Sequence, residues 1–147
     1  MSEIAQGLAL LVAVVNGVAG LVSAWLWYRV EPRPWAWWLL RAGQAAAVAQ
    51  AAGAGILALA GFDPDQGLYW LYALLPVAVG FVAEQLRLAS ADTVLAARDL
   101  EDAQAVGRLP AEEQRSVVLA IVRRELGVMA AAALVITFLA LRAIVEV

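Results

Sequence analysis

Four long apolar runs, parted by three more polar stretches, set the pattern of positions along the chain. The first covers about Ile4 to Trp27 and carries Asn16 at its middle. The second, about Trp37 to Gly61, is mostly Ala and Gly, with Arg41 near its start and Gln44 and Gln50 further in. A third begins near Gly67 and turns polar only at about Glu84 to Arg87; the fourth spans about Leu126 to Val145. A bilayer's hydrocarbon core is about 30 Å thick, so roughly 20 apolar residues of helix cross it. All four runs are of that order. The expected fold class is therefore all-α integral membrane: four transmembrane helices (about 4–27, 37–61, 67–87 and 126–145) with a cytosolic helical hairpin, about 88–125, extending spans three and four. Residues 1–147 read as a single polytopic membrane domain, because no separate stretch is large enough to bury a soluble core.

The breaks between runs have local causes. Pro32 and Pro34 cannot continue a helix, since each removes a donor and restricts the residue before it. Trp25, Trp27 and Tyr28 precede them and Trp35, Trp37 and Trp38 follow, an aromatic cluster of the kind found where a bilayer meets water. Asp63-Pro64-Asp65 marks a turn, with Asp65 the expected N-cap of span three. Pro76 predicts a bend in span three, because it leaves the carbonyl of Tyr72 without its helical donor.

Beyond span three, Leu88–Val106 keeps helix-favouring residues and predicts one helix reaching roughly 28 Å. Gly107 suits its end and Pro110 the first turn of the returning arm, where Val117, Val118, Ile121 and Val122 recur at helical spacing. The hairpin carries more acids than arginines. An anionic leaflet repels such a surface, so the arms are expected to project from the membrane instead of lying on it.

Composition narrows the chemistry. Hydrophobic residues make up 64% of the chain and charged ones 16%, outside the range of ordinary soluble domains. With no Cys and no His, thiolate and imidazole catalysis, Cys-ligated metals and His-ligated haem are all excluded. The net charge of -3 speaks against a nucleic-acid partner. No cofactor, metal or enzymatic activity is expected. The chain start lacks a basic n-region, so the first run reads as a retained span and not as a signal peptide. Every basic residue is Arg, and the loop between spans two and three has none. The positive-inside rule then places both termini outside, in a bacterial plasma membrane.

Two groups of polar side chains are candidates for function. Arg41, Glu84, Arg87, Arg123, Arg124 and Glu125 form a charged layer within about two turns of one membrane boundary. Glu84, still inside an apolar run, is expected to pair with an arginine. Asn16, Gln44 and Gln50 are the intramembrane polar residues, read chiefly as interhelical hydrogen-bonding groups. The Ala- and Gly-rich second span is expected to be the most enclosed helix. Its Gly43–Gly55 stretch and the Ala13, Gly17, Gly20, Ala24 face of span one point to a homo-oligomer, with a dimer favoured. The function expected is that of a structural or regulatory membrane subunit presenting its hairpin, with a cytosolic or membrane protein as partner beside the lipid bilayer. The alternative is a small oligomeric transporter or channel built around the charged layer.

Overall fold

The computed structural model describes residues 1–64 and 67–147. The chain is all-helical, with no strand among the described residues: α1 Ser2–Tyr28, α2 Pro34–Leu59, α3 Tyr69–Leu88, α4 Ser90–Ala97, α5 Ala103–Gly107 and α6 Ala111–Val145. Four helices are long and apolar enough to cross a membrane. Pro34 opens α2 at its first turn, where a missing backbone donor is harmless. Helix α3 continues through Pro76 to Leu88. The expected N-cap Asp65 lies outside the described residues; Leu68 precedes the first residue of α3.

The four long helices form an antiparallel bundle in the cyclic order α1, α2, α3, α6. Depth along it can be read from facing residues: Gly43 lies against Asn16, Gly53 against Leu8, Gly20 against Leu134 and Gly127 against Trp27. At one end, which carries Arg41 and Glu84, Leu26, Leu40, Ala83, Leu126 and Met129 share a cluster. At the other end Ala5, Ala54, Leu57, Tyr69 and Ala73 do, with the rings of Phe62 and Trp70 packed edge-on to Tyr69.

The closest pair is α1 with α6, and these two, not α2, are the most enclosed helices. The expectation for α2 fails on side-chain size. Ala and Gly let one face approach α1 closely, but Ala42, Ala45, Ala49, Ala52 and Gly55 leave the opposite face open. Of the small residues singled out for an oligomer, Gly17 and Gly20 of α1 and Gly43 and Gly53 of α2 pack within the chain, whereas Ala45, Ala49, Ala52 and Gly55 do not. A Cβ at Gly20 would sit 2.9 Å from Leu134 side-chain carbons and 3.1 Å from its backbone nitrogen. One at Gly43 would sit 2.5 Å from Asn16 Oδ1.

The segment between the third and fourth long helices departs from the expected pair of continuous arms. Helix α6 runs unbroken for 35 residues, about 52 Å, so the returning arm and the fourth span are one rod. The outgoing arm is broken. After α4, Arg98–Asp102 leaves helical geometry, with Asp99 at a φ of 54°. Asp residues tolerate that region because their short polar side chains bond locally. Asp102 then caps the one-turn α5 by accepting from the Ala105 N–H at 2.8 Å. Both pieces lie against the first turns of α6, tied there by Arg98 donating to Ser116 Oγ and by Gln114 donating to the carbonyls of Gly107 and Leu109. Glu112 and Glu113 occupy the first turn of α6, where the helix dipole favours negative charge.

Candidate functional site

On α2, Arg41 and Gln44 are three residues apart and so share a face. Glu84 and Arg87 stand in the same relation on α3, and the antiparallel packing brings the two pairs together. Arg41 Nη1 donates to Glu84 Oε1 and to Gln44 Oε1, both at 2.5 Å. Gln44 Nε2 donates to Glu84 Oε1 at 2.8 Å, and Arg87 Nε to Glu84 Oε2 at 2.9 Å. Both carboxylate oxygens are therefore engaged. Glu84 and Arg87 side chains are 23% exposed and Arg41 46%, so the cluster opens toward its Arg41 side. The Arg87 guanidinium also lies 5.9 Å from the centre of the Trp37 ring.

Three of the six residues of the expected charged layer thus meet. The other three do not join them. Arg123 is drawn to α1, where its Nε donates to the Trp27 carbonyl at 3.2 Å and its guanidinium rests 4.9 Å from the Trp27 ring centre. Arg124 is exposed beside Trp27 and Gly127. Glu125 is half-buried and makes no ion pair among the described residues. Their separation follows from helix geometry: successive residues lie about 100° apart, so Arg123, Arg124 and Glu125 fan around α6 and cannot share one neighbour. Gln44 takes the place they leave. Its spacing from Arg41 was the signal that could have assigned it to this cluster.

The polar residues of the apolar spans divide in the same manner. Asn16 is buried and its Nδ2 donates to the carbonyls of Val12 at 3.1 Å and Gly43 at 3.0 Å, a bond between α1 and α2. Gln50 is 1% exposed, yet neither of its amide atoms finds a partner among the described residues. The Ser23 hydroxyl is in the same position.

Below the Glu84 cluster, α2 and α3 stand apart. Ala47 and Gly80 offer no bulk between them, and a groove of about 260 Å³ opens there, walled by Val48, Pro76, Val77 and Phe81. A second groove, of about 430 Å³, lies outside the apolar part of α6, between Pro32 and the Gln114, Arg115, Val118, Leu119 face. Val118 is 54% exposed there. Among the described residues no group of three or more acidic side chains is placed to hold a metal ion.

What these parts can do is bind and couple. The carboxylate at the centre is held by three donors on two helices, which fixes the register of α2 against α3, and the cluster as a whole retains one positive charge. Compared with known proteins, the chain matches no family model, no curated protein and no solved structure.

Proposed function

We propose that this chain is a non-catalytic membrane subunit, structural or regulatory in role, whose four long helices cross a bilayer with both termini outside. In this reading residues 89–125 stand on the cytosolic side and present a docking surface to a protein partner. The observation that carries it is the groove at Pro32, Val118, Leu119 and Val122. Contiguous apolar surface outside the bilayer is the kind that serves as an interaction site, and Val118, Leu119 and Val122 adjoin in this groove. Because α6 is uninterrupted from Ala111 to Val145, a partner bound there would act directly on the rod that packs against α1 and α3.

The test is site-specific photocrosslinking in native membranes, with the reactive group at Val118 or, as control, at Glu113 on the same helix. The expected result is one discrete protein adduct from Val118 and none from Glu113. Lipid adducts alone, or identical patterns from both positions, would refute the docking role. One observation supports the transporter alternative: the buried Gln50 amide, without a partner among the described residues, a group that a polar species could bind. Purified protein in planar bilayers should nonetheless give no conductance, and reproducible ion flux would establish that alternative instead.

A further inference from the structure

The groove between α2 and α3 ends in the Glu84 cluster, and the two together have the chemistry of a lipid. Along α3 the groove runs from Glu84 to Pro76, about 12 Å. One leaflet of a bilayer core is about 15 Å deep. The walls are apolar, and polarity enters only where Gln44 and Glu84 line one end; Arg41 and Arg87, both bonded to Glu84, stand beside that end. There two guanidinium groups face one carboxylate, so one positive charge is left over. Each guanidinium has five N–H donors. The bonds to Glu84 and Gln44 use only Nη1 of Arg41 and Nε of Arg87. Arg41 is nearly half exposed, so its other donors can be reached from outside.

We propose that this groove is a binding site for one anionic glycerophospholipid, with its phosphate on Arg41 and Arg87. One acyl chain would lie along Ala47, Val48, Val77 and Gly80. The inference rests on the reading that the four long helices cross a bilayer. Charge complementarity selects the occupant: a second helix would fill the apolar part but leave the surplus guanidinium charge unanswered. The groove between α3 and α6 makes the contrast. At about 470 Å³ it is larger, but Leu75, Val82, Leu86, Val128 and Val135 line it and, among the described residues, no polar or charged side chain does. It can hold a chain without preference for a headgroup.

Native mass spectrometry of the purified chain, incubated in detergent with dioleoyl phosphatidylglycerol or dioleoyl phosphatidylcholine, tests the site. The parent should retain one phosphatidylglycerol per chain in preference to phosphatidylcholine. Arg41→Gln should weaken phosphatidylglycerol retention about fivefold, the worth of one arginine at an anionic headgroup, and weaken phosphatidylcholine less, because its ammonium offsets the charge of the same phosphate. Gly80→Leu should weaken both lipids, since nothing lies within 4 Å of a Cβ there and the new side chain fills the groove. Val48→Phe fills it from α2 and serves if Gly80→Leu does not fold. Val82→Phe, in the α3–α6 groove, should leave the phosphatidylglycerol preference intact. Equal retention of the two lipids by the parent, or phosphatidylglycerol retention in both groove-filling variants equal to the parent's, would overturn the proposal. Carbonate extraction of native membranes separates this from the underlying reading. A chain released by carbonate refutes bilayer crossing, whereas a retained chain without lipid preference refutes the lipid site alone.

Discussion

Replacing Glu84 by Gln removes one negative charge without changing size, and the consequence can be worked from the bonds it makes. Oε1 accepts from Arg41 and Gln44, and Oε2 from Arg87. A carboxamide can present oxygen to only one side, so whichever way it turns, its NH2 meets another donor. Bonds to charged groups contribute about 1.5–3 kcal/mol when shielded, and exposed ion pairs about 0.2–1 kcal/mol. The Arg87 bond, with both side chains 23% exposed, belongs between these ranges, and the half-exposed Arg41 bond near the lower. Together they put the loss at about 2 kcal/mol. The assay is reversible unfolding in mixed micelles, with Glu84→Gln, Arg41→Gln and the double variant compared as a cycle. The Arg41–Glu84 coupling should come to about 0.5–1 kcal/mol and shrink at high salt, because screening reaches an exposed pair. A Glu84→Gln loss below about 0.5 kcal/mol, the scatter of ordinary surface changes, would refute the view that this carboxylate holds α2 to α3.

Four further substitutions probe the interior. Asn16→Leu should destabilise by about 1 kcal/mol, the usual worth of a polar contact between membrane helices, and Gly43→Ala by a similar amount, since its methyl displaces the Asn16 amide. In the same unfolding assay their double variant should fall short of the sum, because both break one bond. Gly20→Leu should destabilise the single chain by about 1–3 kcal/mol through overpacking against Leu134; an unchanged midpoint would place that face outside the bundle. Gln50→Leu should raise stability by about 1–2 kcal/mol, since it removes two buried polar atoms that find no partner among the described residues. A loss of stability there would mean that the amide is satisfied after all.

The long helices were legible because each apolar run matches the thickness of a bilayer and ends at prolines, aromatics or charges that have a local reason to stop it. The break at Arg98–Asp102 was not. Helix propensity carries across Leu88–Val106, and the step at Ala89, the left-handed Asp99 and the Asp102 cap, all local backbone choices, interrupt it. The continuity of α6 was legible, since the returning arm was expected to extend span four and nothing in Arg123-Arg124-Glu125 breaks a helix. At the site, Arg41, Glu84 and Arg87 could be grouped from their depth in the spans. Which of the neighbouring charges would join them depended on rotation about α6, which depth does not fix. Trp27 taking Arg123, and Trp37 taking Arg87, are likewise contacts between side chains from different helices that run lengths cannot reveal.

The measurement that bears most directly on the account is the sidedness of three single cysteines. The chain has none of its own, so each would be the only thiol present. Ser2→Cys, Asp63→Cys and Asp99→Cys are placed at the chain start, in the α2–α3 loop and in the break after α4. With an impermeant maleimide on intact cells, the first two should be labelled at once and Asp99→Cys only after permeabilisation. Labelling of Asp99→Cys in intact cells, or protection of Asp63→Cys, would contradict four crossings with residues 89–125 on the cytosolic side.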